Sequence, residues 1–257
     1  MRTSLIDVRG TSIEYFETAK IQGGDILLLH EGLGCVELWR DFPEQLATVT
    51  AHNVLAYSRA GYGNSAPITL PRSLDHMERE ARDFLPLFIQ GLALEQPILL
   101  GHSDGATIAL EFAAAFPNAL SGLILIAPHV FVEQVSIDAI NAANLAYSDG
   151  SLRDKLQRYH GANVDNAFRG WCDTWLNPAF RTWDIRPRLR RIKAPILLLQ
   201  GANDEYGTVL QVQSIEQNSG GSVKSVILSD SGHAPHQDNL EDSLRAIAKF
   251  VKSLSGQ

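Results

Sequence analysis

Cysteine is nearly missing from the 257-residue chain: Cys35 and Cys172 are the only two. They allow at most one bridge, and neither belongs to a C-x-x-C pair, so neither a disulfide framework nor a zinc site is expected. Positive charge is also in deficit. The 22 Lys and Arg stand against 29 Asp and Glu, a formal net charge of -7. A mildly acidic surface favours solubility and argues against a nucleic-acid groove or an anionic membrane as partner. No apolar stretch approaches the length that crosses a bilayer. The opening MRTSLIDVRG has no apolar run of signal-peptide length. Repeats and low-complexity segments are absent as well. The expectation is a reduced, soluble, cytoplasmic protein whose partner is a small molecule; oligomeric state is not legible.

What the chain does have is apolar substance. Hydrophobic residues make up 45% and charged residues 20%, enough for a sizeable core. The length fits one large α/β domain with an insertion as well as it fits two small domains. Six short apolar runs read as buried strands: residues 26–30, 53–58, 97–101, 122–127, 195–201 and 225–230. They are apolar without alternation, the pattern of parallel strands covered on both faces. Helical spacing appears over 78–94, over 107–116 up to Pro117, and over 240–254, where acids come early and lysines late. Strands alternating with helices predict a mostly parallel, doubly wound sheet with helices on both faces.

The alternation fails between residues 131 and 185. That stretch has helical pieces and no convincing strand, and it holds Trp171, Trp175 and Trp183, three of the four tryptophans. The expected division is a core of 1–130 and 186–257 with a helical cap over 131–185. An insertion that begins after a strand lies near the carboxyl ends of the sheet, where ligands bind.

One five-residue stretch carries chemistry. Gly101-His102-Ser103-Asp104-Gly105 joins a strand to a helix and reverses direction in very few residues. The turn strains its middle residue, the glycines leave room for strand and helix to pack, and the serine oxygen is pushed out above the sheet. Ser103 also sits at a helix N-terminus, where free N–H groups favour negative charge. A hydroxyl needs a base to become a nucleophile, and the base needs an orienting group. For this turn the expected chain order is serine, acid, histidine. Asp204 follows the strand PILLLQG, and His233 follows SVILSD, both at the same sheet edge as Ser103. The rivals are Glu205 and Asp230 for the acid and His236 for the histidine.

LLLHEGLG, YSRAGYGNS, GHSDG, QGAND and SGH stand in this order along nearly the whole chain. Together they resemble the α/β-hydrolase fold superfamily, in its serine-nucleophile branch with a cap. The resemblance implies Ser103 as nucleophile, His233 as general base and acid, and Asp204 as the orienting carboxylate. It implies no metal and no cofactor. A serine at the turn also sets the chain apart from the dehalogenase and epoxide-hydrolase branches, which use an aspartate there.

The oxyanion would take one N–H from Asp104 and a second from the loop after the LLLH strand. Relatives usually read His-Gly-X in that loop. This chain reads His30-Glu31-Gly32-Leu33-Gly34. Counting to Trp39 places Gly32 at the donor position, with Leu33 the fallback. Glu31 departs from the pattern. It is expected to bind Arg59 or a nearby N–H, or else to enter the site. Asp104 is expected to begin the helix, with its side chain free to face the pocket, and His102 to pack near the turn. Trp171, Trp175, His129 and Glu31 are the candidate substrate-binding residues. Arg153, Arg158 and Arg169 would be available to an acidic substrate.

The first expectation is a hydrolase of a small or medium carboxylic ester, lactone or thioester. Relatives with the same three residues also cleave carbon–carbon bonds in aromatic ring-fission products, and others serve as small-molecule receptors.

Overall fold

The computed structural model describes residues 2–21 and 23–254. Its centre is one sheet of eight strands: β1 Ser4–Val8, β2 Thr11–Glu17, β3 Asp25–Leu29, β4 Asn53–Tyr57, β5 Ile98–His102, β6 Gly122–Ile126, β7 Ile196–Gly201 and β8 Val223–Leu228. The spatial order is β1-β2-β4-β3-β5-β6-β7-β8. β3 to β8 are mutually parallel, and β1 and β2 are antiparallel to their neighbours.

The apolar runs become strands because both sheet faces are covered. β5 and β6 are buried at every position. Along β5, Leu99 faces one core, while Ile98 and Leu100 face the other. The first core is closed by the helical stretch 76–91, which includes a π turn at Glu80–Phe84, and by the helix Asp104–Ala115. The second is closed by the helices Phe42–Thr50 and Leu240–Leu254. The helix Leu240–Leu254 buries Leu244, Ile247, Phe250 and Val251 at helical spacing, each contributing roughly 1.5–3 kcal/mol.

Two strands are not expected from the sequence, and a third is less buried than expected. β1 and β2 carry no long apolar run. They form a hairpin, turned by Arg9 (φ 50) and Gly10 (φ 85), and they are only partly buried. β8 is not a fully buried strand. It pairs only with β7, at the sheet edge, and Ile227 is 47% exposed.

Strand order fixes where a site can form. After β3 the chain moves to β4 on one side, then returns to place β5 on the other side of β3. The carboxyl ends of β3 and β5 therefore flank the switch point, where open α/β sheets hold ligands. The stretch 131–185 leaves the sheet after β6. It builds the helices Gln134–Ser148, Arg153–His160 and Val164–Trp175, and it returns at an antiparallel bridge between Phe131 and Asp184.

Candidate active site

Ser103 adopts φ 54, ψ -118, a conformation that L residues rarely take. Its two glycines are sterically required. A Cβ at Gly101 would strike Gly105 and Ala106, and one at Gly105 would strike the carbonyls of Leu29 and His30. Strand, turn and helix are pressed together, and the serine is left at the helix N-terminus.

The Ser103 Oγ lies 2.9 Å from His233 Nε2. His233 Nδ1 lies 2.9 Å from both oxygens of Asp204, and it contacts neither Glu205 nor Asp230. Asp204 is further held by the N–H groups of Tyr206 (2.8 Å) and Gly207 (3.2 Å) and by the Gln200 amide (2.7 Å). Burial alone would raise the Asp204 carboxyl. The His233 hydrogen bond and charge, with the donors from Tyr206 and Gln200, outweigh it and keep the pKa low. His236 stands apart from this line, buried between Trp39 and Phe42.

The loop after β3 is held by Arg59. Its guanidinium donates to the carbonyls of His30 (2.5 Å) and Glu31 (2.8 Å). The expected binding of the Glu31 side chain by Arg59 therefore does not occur: Arg59 takes the Glu31 main chain. The Glu31 carboxylate turns into the site, 3.5 Å from His102 Nδ1. Burial opposes its charge, but His102 overcomes this and holds it well below the usual carboxylate range. Gly32 and Leu33 both line the cavity. A Cβ on Gly32 would strike the Trp171 indole. Asp104 is the first residue of its helix, so its N–H has no intrahelical acceptor.

A cavity of about 310 Å³ opens over Ser103. Glu31, Asp104, His129, Trp171 and Trp175 all line it, so the structure brings every substrate-binding candidate to the serine. Trp175 Nε1 donates to Asp104 Oδ1 (3.2 Å). Burial raises the Asp104 carboxyl, with the Arg59 charge opposing. His129 meets Trp175 edge to face, with ring centroids 5.3 Å apart. Burial, aided by the charge of His233, lowers His129 to about 3, so it stays neutral. Among the described residues, no group of three or more His, Cys, Asp or Glu is placed to hold a metal ion. No helix there is long and apolar enough to cross a membrane.

The alpha/beta hydrolase family model matches residues 26–247. The chain belongs to the alpha/beta hydrolase family. It is 27% identical to serine hydrolase BPHL of Homo sapiens, over 77% of this chain and 69% of that protein. It is 27% identical to the putative carbamate hydrolase RutD of Pseudomonas savastanoi pv. phaseolicola, over 90% of this chain and 99% of that one. Among solved structures, an esterase from Exiguobacterium antarcticum superposes with a TM-score of 0.76 at 20% identity, covering 98% of this chain and 100% of that one.

Other residues of this hydrolase reach the cavity unannounced by any motif. Ser136 and Ile140 come from the first helix of the insertion, Tyr206 from the loop after Asp204, and Gln237 from the turn after His233. The spacing of four between Ser136 and Ile140 was the one usable signal. The three insertion arginines do not line the cavity. Arg153 pairs with Asp165 (3.0 Å), and Arg169 bonds Asn144 (3.0 Å). Trp183 packs on Phe180 and Trp175 rather than on the cavity.

Proposed function

We propose that this hydrolase cleaves a small or medium carboxylic ester, lactone or thioester through a covalent acyl-enzyme. Ser103 Oγ attacks the carbonyl carbon, and His233 Nε2 takes the hydroxyl proton. Asp204 holds the opposite N–H of the ring and stabilises the imidazolium. The charge that develops on the carbonyl oxygen is met by the N–H groups of Asp104 and Gly32, with Leu33 the alternative to Gly32. His233 returns its proton to the leaving group, then activates the water that releases the acid. The insertion 131–185 acts as a cap on a core of 1–130 and 186–257, and Trp171 and Trp175 form its inner wall.

The observation that carries this reading is the unbroken line from Ser103 through His233 to Asp204, each contact 2.9 Å. The names of the relatives, a serine hydrolase and an esterase among them, agree with it. Charge favours an ester over an aromatic ring-fission product. Such products are acids, whereas the cavity lining includes Glu31, Asp104 and Glu205 and no lysine or arginine. Hydrolysis of p-nitrophenyl butyrate beside Ser103→Ala tests the proposal. The variant is expected to lose about 1,000-fold or more in kcat. Equal rates for the two proteins would refute the nucleophile, and no turnover of any ester, lactone or thioester by the folded wild type would favour a receptor.

A further inference from the structure

The proposed site holds a second carboxylate–imidazole pair, packed against the first. β3 and β5 are parallel neighbours, with Leu29 opposite Gly101. The residues that follow each strand therefore meet: Glu31 from one, His102 from the other. His102 is buried, at 3% exposure, with its ring between His233 (centroids 5.1 Å apart) and His236 (4.8 Å). Its Nε2 lies 2.8 Å from the main-chain carbonyl of His233. A carbonyl only accepts, so this nitrogen donates. The other nitrogen, Nδ1, faces the Glu31 carboxylate at 3.5 Å. That contact is one of charge and not a formed hydrogen bond. With Nε2 already donating, the ring pairs with the carboxylate through Nδ1 only as an imidazolium, whose two N–H groups then face two acceptors and hold its orientation.

The loop is shaped around the carboxylate. A Cβ at Gly34 would strike the Glu31 carboxyl group, the Gly34 N–H closes a turn on the Glu31 carbonyl (3.2 Å), and Arg59 grips that same carbonyl. The segment that carries His233 lies between β8 and the one-turn helix Pro235–Asp238 and belongs to neither. Its main chain gains a side-chain anchor at His102.

We propose that Glu31, acting through His102, is a positioning residue for His233. The pair grips the His233 carbonyl and so keeps Nε2 aimed at Ser103. The inference rests on the Ser103–His233–Asp204 reading above. It separates Glu31 from the substrate: a wall residue would set KM, whereas a positioning residue sets kcat.

The test is a double-mutant cycle on p-nitrophenyl butyrate, with fluorophosphonate labelling of Ser103 as a readout free of substrate binding. Glu31→Ala and His102→Ala are each expected to lower kcat about tenfold, as misplacement of a reacting group does. KM should stay within about twofold, and labelling should slow by the same factor as kcat. The double variant should be no slower than His102→Ala alone, because Glu31 acts only through that ring. His102→Gln, whose amide N–H reaches the carbonyl, should recover most of kcat. Where His102→Ala does not fold, His102→Gln against the shorter His102→Asn carries the same comparison. A change in KM alone for Glu31→Ala, or losses that multiply in the double variant, would overturn the inference. If Ser103→Ala is inactive but Glu31→Ala keeps full kcat, the positioning role fails and the triad stands. If Ser103→Ala stays active, the triad fails and takes this inference with it.

Discussion

At Asp204 every hydrogen bond comes from a donor: the Tyr206 and Gly207 N–H groups on Oδ1, the Gln200 amide on Oδ2, and His233 Nδ1 on both. An asparagine there has to turn its NH2 toward one of those donors. If the NH2 faces His233, Nδ1 must give up its proton and Nε2 must carry it, which is the wrong tautomer for taking a proton from Ser103. Asp204→Asn is expected to leave the fold intact and to lower kcat at neutral pH by about 10,000-fold, measured by steady-state kinetics on the same ester. A loss below about tenfold would mean that His233 does not depend on this carboxylate. At this scale the sequence was legible where chemistry dictates residue type. Ser103, Asp204 and His233 could be picked out because a strained turn between glycines, then an acid and a histidine after later strands, form a pattern with a mechanism. The Glu31 and His102 contact could not. Nothing in a sequence without strand order says that residues after the first and third apolar runs would touch.

The helix Val164–Trp175 turns Trp171 and Trp175, one turn apart, toward the cavity, and Trp175 also supports Asp104. Asp104 Oδ2 has no hydrogen-bond partner among the described residues, so Trp175 is its one side-chain donor. Trp175→Phe keeps the ring packing but removes that donor from a buried carboxyl. The expected cost is about 1–3 kcal/mol, read as a lower denaturant midpoint at unchanged slope. A midpoint equal to the wild type would mean that the contact contributes nothing. The same helix gives an optical readout. Covalent labelling of Ser103 should change the tryptophan emission, and Trp171→Phe should remove a large part of that change. An unaltered spectrum on full labelling would place Trp171 outside the occupied cavity. The sequence revealed elements unevenly, for a physical reason. Strands covered on both faces leave an unbroken apolar run, so β3 to β7 could be read within a residue or so. The hairpin of β1 and β2 and the edge strand β8 are covered less fully, so their runs are diluted. The helices over 131–185 pack on one another and on the core at once, so their facing could be seen only in the fold.

Across the whole molecule, burial favours the neutral form at five of the eight histidines. His30, His129 and His236 are almost wholly enclosed, and burial lowers all three, His129 to about 3. His160 and His76 are lowered by burial too. Each of these groups binds its proton more readily in the unfolded chain, whose histidines titrate near 6.5. The unfolded state therefore holds more protons below that pH, and stability falls as pH drops. His129, lowered to about 3, costs about 1.4 kcal/mol per pH unit below 6.5, and His30 and His236 act in the same direction. Three carboxyls act with the opposite sign. Burial raises Glu80, Asp104 and Glu111, so protonation in acid favours their folded form. Arg59 opposes the shift at Glu80 and Asp104, and Arg188 opposes it at Glu111, whereas His30 and His236 are displaced well below their ordinary value. The histidines therefore set the slope. Urea midpoints should fall steadily from pH 7 to pH 5. His236→Phe, which places a ring of similar size between Trp39 and Phe42, should make that fall shallower, because it removes one buried group that binds its proton more readily in the unfolded chain. A midpoint that rises or stays level over this range would mean that the buried carboxyls, and not the histidines, govern the response to acid.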